Sequence, residues 1–198
     1  MTLLKIRYFM ALAAGLWLAG CGEQEKTEGI QLAKILKAQQ ADFMKTNATE
    51  RDFIANARAW CGGITSNGAG RGKELDQNAA VSAALAKTAV DISTNLSGLR
   101  QAITAPALTE EYPVSIRDGL INDLTKRQRA LQEMRAALQD ASPQFLQYAH
   151  QNGYKGDTYP DGITKMNTLL QSYSSPTDIV GTALDALKDK YKLTDAQL

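Results

Sequence analysis

Few residues in this chain can carry a reaction. There is one histidine, His150, and there are two cysteines, Cys21 and Cys61. A Ser-His-Asp triad has a single candidate base, and no Gly-x-Ser-x-Gly elbow accompanies it. The stretch CGGITSNGAGRGKEL, residues 61–75, places five glycines around a basic pair and raises the question of a phosphate cradle. A P-loop needs glycine, four residues, then Gly-Lys-Ser/Thr. Here Gly72-Lys73 is followed by Glu74, and the position five before Gly72 is Asn67, so the motif fails at both ends. Lys73 and a helix N-terminus beside it would suit a weak anion site, but Glu74 and Asp76 already occupy that positive dipole. The stretch reads as an exposed interhelical loop, with Arg71 and Lys73 as candidate partner contacts.

Asp157, Tyr159, Asp161 and Gly162 have the spacing of a calcium loop in part. Tyrosine stands at position three and Thr168 at position twelve, where a bidentate glutamate belongs, so the reading is a plain turn. Tyr154, Lys155 and Tyr159 in this turn are candidate contacts for a partner, with tyrosines folded back over the core as the alternative. Glu110 and Glu111 are paired acids, but neighbours on a helix start point in different directions. Their expected role is to support the helix that follows. The cluster Lys126-Arg127-Gln128-Arg129 reads as a solvated face, with contact to lipid headgroups or an acidic partner as the alternative, and His150 as an exposed or capping residue at a helix end.

The elements that must position these residues are helical. From Ile30, Leu32, Ile35, Leu36 and Phe43 share a face, and a second helix is predicted to start at Thr49. That stripe continues through Phe53, Ala57, Trp60 and Ile64 until the glycines stop it. Val81, Leu85, Thr88, Ile92, Leu96, Leu99 and Ile103 make the longest apolar stripe. Ile116, Leu120, Leu124, Arg127, Leu131, Met134 and Leu138 make a second, and a short link predicts that these two helices pack antiparallel. Ser142-Pro143 predicts a new helix start, and two more short helices follow, from Ile163 and from near Asp178. No alternating run is long enough for a sheet. The expected fold is all-α, a helical bundle of five to seven helices.

The N-terminus has its own pattern. Lys5 and Arg7 precede an apolar run from Tyr8 to Leu18, then come Leu18-Ala19-Gly20-Cys21 and the polar stretch GEQEKTEG. The run is shorter than the roughly 20 residues a spanning helix needs. The basic start, apolar run and small residues are those of an export signal. The tetrapeptide resembles the lipobox of bacterial lipoproteins. That resemblance covers about the first tenth of the chain. It implies that the Cys21 thiol is lipidated, that residues 1–20 are removed and that the protein faces the periplasm. Gly22 stands where an inner-membrane retention signal of that family usually has aspartate, which favours the outer membrane in a host with two membranes. Several acyl chains bury enough methylene to anchor without spanning. Residues 21–29 are then a lipidated cysteine and flexible tether, reaching at most about 25–30 Å. Residues 30–198 are expected to form one domain.

Removing Lys5 and Arg7 leaves 20 basic residues against 21 acidic ones, a net charge of −1. Such a balance offers no steering toward nucleic acid. With Cys21 lipidated, Cys61 is an odd thiol, expected buried and inert, with a disulfide to another chain or a nucleophilic role as alternatives. One histidine and one thiol leave a transition metal without ligands, and no cofactor or metal is expected. The functional expectation is a membrane-anchored, non-catalytic protein-interaction module: an accessory to envelope assembly, an inhibitor or an immunity-type factor. A carrier holding an apolar ligand between helices is the alternative, and a cell-wall enzyme has the least support.

Overall fold

The computed structural model describes residues 3–67, 74–151 and 159–198 and, of these, the side chains of 22–65, 74–151 and 159–198. The described residues are all-α: α1 (Leu3–Asn67), α2 (Glu74–Thr104), α3 (Glu111–His150), α4 (Asp161–Ser172), α5 (Ile179–Tyr191) and a 3-10 turn at Asp195–Gln197, with no strand among them. They divide into two compact units. The first is residues 1–40, 101–121 and 179–198, and the second is 41–100 and 122–178. Sequence alone predicts one domain for residues 30–198.

In the first unit the buried residues include Leu32, Leu36, Ile103, Leu120, Leu184 and Leu187. Their 3–4 residue spacing within α1 and α5 is that of helices with one apolar face. The C-terminus of α5 turns at Lys192, whose φ of 54° is the left-handed helix-stop conformation. The Leu193 amide donates to the Lys188 carbonyl at 3.0 Å to close that turn.

In the second unit α2 and α3 run antiparallel, and three hydrogen bonds fix the register. Ser142 Oγ donates to the Ala79 carbonyl at 3.1 Å, Ser82 Oγ to the Leu138 carbonyl at 2.7 Å, and Gln128 Nε2 to the Ser93 carbonyl at 3.0 Å. Numbers rise on one helix as they fall on the other. Ser82, Ala86 and Ala89 are buried where the two backbones come close, since small side chains permit that approach. The inward face of α2 is thus broader than the predicted stripe, and Val81 and Thr88 sit at its half-buried margin.

Four sequence expectations need correction. The stretch 22–29 is helical, and Glu28 and Gly29 are buried, so it is not a slack tether. Its polarity belongs to a helix whose buried side holds an acid and a glycine. No helix starts at Thr49; its hydroxyl donates back to the Lys45 carbonyl at 3.1 Å inside a continuous α1. Gly62 and Gly63 do not stop that helix, which continues to Asn67. Ser142-Pro143 likewise lies inside α3. The Ser142 hydroxyl bonds across to α2 rather than capping, and Pro143 and Gln139 are exposed. The carbonyl that proline leaves without an amide partner therefore belongs to a residue that water reaches.

Candidate functional site

Two polar constellations organise the units, and sequence reasoning assigned neither. The first lies in the second unit. Along α1 the buried positions Phe43, Asn47, Glu50, Ile54, Ala57, Cys61 and Ile64 follow each other at 3–4 residue spacing, so Asn47 and Glu50 occupy core positions. Arg127 interrupts the facing stripe of α3 in the same way. The guanidinium ion-pairs with the Glu50 carboxylate through Nη2 and Nε, and Nη2 also donates to Asn47 Oδ1 at 2.6 Å. Its Cζ lies 5.2 Å from the centroid of the Phe43 ring, an attractive cation–π placement. Nη1 is buried with no protein acceptor.

Tyr173, the residue that ends α4, donates its phenol to Glu50 Oε1, the oxygen that also accepts Arg127 Nε. Burial, then the negative charge of Glu50 and this hydrogen bond, push the Tyr173 phenol well above its ordinary range. Asn47 Nδ2 donates to the Thr177 carbonyl at 3.2 Å, and Arg58 Nη2 donates to the carbonyls of Leu170 and Tyr173 at 2.9 and 3.2 Å. Three polar side chains of α1 therefore hold the end of α4 and the link into α5. Glu50 is fully buried. A carboxylate sealed this way, with its oxygens committed to Arg127 and Tyr173, positions chain rather than substrate.

The second constellation is in the first unit. Both oxygens of Glu28 serve the start of α3. Oε2 accepts the amides of Thr109 and Glu110 at 2.8 and 2.9 Å, and Oε1 accepts the Thr109 hydroxyl at 2.8 Å. Amides ahead of a helix need such acceptors, and here a distant helix supplies one. Burial alone would raise the Glu28 pKa. The hydrogen bonds from Glu110, Thr109 and Gln24 outweigh it and hold the carboxyl down at about 2. One residue further, Gly29 lies under the ring of Tyr191, where a Cβ would overlap the ring carbons. Tyr191 donates its phenol to Glu25 at 3.0 Å and meets the Tyr112 ring edge-on at 6.1 Å. Lys190 sits 3.7 Å from Glu25 and 5.1 Å from the Tyr112 centroid. The stretch expected to be slack is held by its acids and its glycine.

The sequence-predicted residues fall as follows. Cys21 lies on the backbone of α1, with its side chain outside the described set. Arg71, Lys73, Tyr154 and Lys155 lie outside the described residues, and Tyr159 is half-buried just ahead of α4. Cys61 is fully buried and unpaired, and burial pushes its thiol up to about 12, so it stays protonated near neutrality. His150 is exposed in the last turn of α3. Of the basic cluster, Lys126 and Arg129 face solvent, whereas Arg127 and Gln128 turn inward; the solvated-face reading is corrected at those two positions because α3 continues straight through the cluster. No group of described residues has the makings of a metal site, and no described helix is long and apolar enough to cross a membrane. The signal that would have found the Glu50 site is a pair of opposite charges interrupting two apolar stripes.

Grooves also line the second unit. One of about 520 Å³ between α3 and α4 presents Asp140, Asp161 and Lys165, and one of about 640 Å³ between α2 and α3 presents hydroxyls, amides and arginines. Compared with protein-family models, curated proteins and solved structures, the chain matches none.

Proposed function

We propose that the chain is a bacterial lipoprotein, anchored through Cys21 and facing the periplasm, that acts by holding a protein partner rather than by chemistry. The observation that carries this reading is the run Leu18-Ala19-Gly20-Cys21 behind a basic start and a short apolar segment. Gly22 favours the outer membrane over the inner in a host with two membranes. Processing ahead of Cys21 would leave α1 beginning close to its lipid. Glu28 is seven residues on, about 10 Å along a helix. A helical start held by Glu28 and Gly29 gives the body a far shorter reach than a slack tether, which restricts its partners to the membrane surface.

Support for binding over catalysis comes from the buried titratable groups. Glu50, Arg127 and Tyr173 are engaged with one another, and Cys61 is sealed. The grooves described above are lined mainly by polar side chains, which does not favour an apolar cargo.

The test is site-specific photocrosslinking in intact envelopes from positions 73, 154 and 159. The expected result is one protein captured in stoichiometric yield, and lost when Cys21→Ser releases the chain from the membrane. Capture at background level from all three positions contradicts the reading.

A further inference from the structure

The groove between α2 and α3 goes beyond this reading and does not depend on the lipid. Ser93, Thr94, Ser97 and Arg100 line one wall, spaced so that they share a face of α2. Thr125, Gln128, Arg129 and Gln132 do the same on α3. The groove is an open surface channel of about 640 Å³, and Ser93 to Arg100 spans about 10 Å along the helix axis. Its walls are preset: Gln128 is buried and tied to the Ser93 carbonyl, and Ser82 and Ser142 pin the same pair of helices further along.

The chemistry of the lining is selective. Two guanidinium groups and no carboxylate give it a charge of +2. Guanidinium groups donate in a fork that suits carboxylate or phosphate oxygens. Four hydroxyls and two amides lie between them, groups whose chemistry matches that of sugar hydroxyls. Thr94 gives its proton to the Val90 carbonyl at 2.9 Å, so toward the groove it can only accept. A ligand that satisfies this set carries acid groups and many hydroxyls at once. An acidic peptide would reach the arginines and some of the amides, but the lining has no aromatic or aliphatic side chain to give its side chains a buried anchor. Nucleic acid lacks a stacking platform here. Arg129 already has an internal partner: Glu133 accepts Arg129 Nε at 3.1 Å, with both side chains exposed, an arrangement that is weak in water.

We infer that the α2–α3 groove binds an anionic carbohydrate, a sugar chain bearing carboxylate or phosphate, gripped by Arg100 and Arg129 and read by the hydroxyls and amides between them. The test is calorimetric titration of the full chain with linear oligogalacturonate, with a phosphorylated oligomannoside, with the methyl-esterified oligogalacturonate and with a polyglutamate peptide of equal charge. Saturable binding of either acidic oligosaccharide is expected, and which of the two binds identifies the acid group. Methyl esterification should weaken oligogalacturonate binding, and Arg100→Gln with Arg129→Gln should weaken the preferred acidic chain, each by about tenfold or more, the scale of a lost charge-assisted hydrogen bond. Thr94→Trp, at an exposed helical position, should block the groove with the fold intact by circular dichroism, and Glu133→Gln should tighten binding. The inference is overturned if neither acidic oligosaccharide binds, if Thr94→Trp and Arg129→Gln bind as the parent does, or if polyglutamate binds more tightly than both sugars.

Discussion

Glu50 of α1 and Arg127 of α3 form an ion pair in the core of the second unit, each at a position that its helix otherwise fills with apolar side chains. Removing two charges from water is costly, and Tyr173 and Asn47 offset part of that cost by bonding to Glu50 and to Arg127 Nη2. Its use is placement: it sets the α1–α3 register and, through Tyr173, fixes where α4 ends.

Breaking the pair from one side should therefore cost more than removing both members. Arg127→Met leaves Glu50 buried without its counter-charge and should lower stability by about 3–5 kcal/mol. The double variant Glu50→Met/Arg127→Met should recover most of that loss. Urea denaturation of the parent, both single variants and the double variant checks this as a thermodynamic cycle. A double variant as unstable as the sum of the singles would show that the pair is not coupled.

Glu28 gives the first unit an acid-sensitive clasp. Its folded pKa, held at about 2, lies below the ordinary glutamate value of 4.5, so the deprotonated carboxylate stabilises the fold. That contribution is complete above about 4.5 and is lost as pH falls toward 2. Glu28→Gln should cost about 2 kcal/mol near neutral pH and flatten the decline in stability over that acid window. Denaturation midpoints from pH 2 to 7 for parent and variant measure it, and parallel curves would contradict the assignment.

Two helical glycines should respond with opposite sign to the same substitution. At Gly98 a Cβ meets nothing within 4 Å, so Gly98→Ala should stabilise by about 0.5–1 kcal/mol through helix propensity. At Gly29 a Cβ meets the ring of Tyr191, which is buried and bonded to Glu25. Gly29→Ala should destabilise by about 1–3 kcal/mol, since overpacking outweighs propensity. Thermal melting of the two variants decides it; a gain at both positions would mean that the α1–α5 contact yields.

The all-α fold was legible because apolar spacing is a local property, as the stripes Leu85–Ile103 and Leu120–Leu138 illustrate. The breaks were not. Thr49 and Ser142 have the residue types of helix starts, yet their hydroxyls bond to Lys45 and Ala79 carbonyls, and only tertiary context decides between those uses. The Glu50 site stayed hidden for a related reason. A polar residue on an apolar stripe reads as an interruption until its partner, 77 positions away, is placed beside it. The stretch 22–29 misled because polar composition suits a tether as well as it suits the exposed faces of a helix whose buried contacts are Glu28 and Gly29.

Whether Cys21 carries the anchor is read from the mass of the N-terminal peptide of protein extracted from membranes. A lipidated Cys21 gives a peptide that begins at Cys21 and is heavier than its sequence by a thioether-linked diacylglycerol, with or without an acyl group on the new amine. A chain that still begins at Met1, or a Cys21 peptide of unmodified mass, would contradict it.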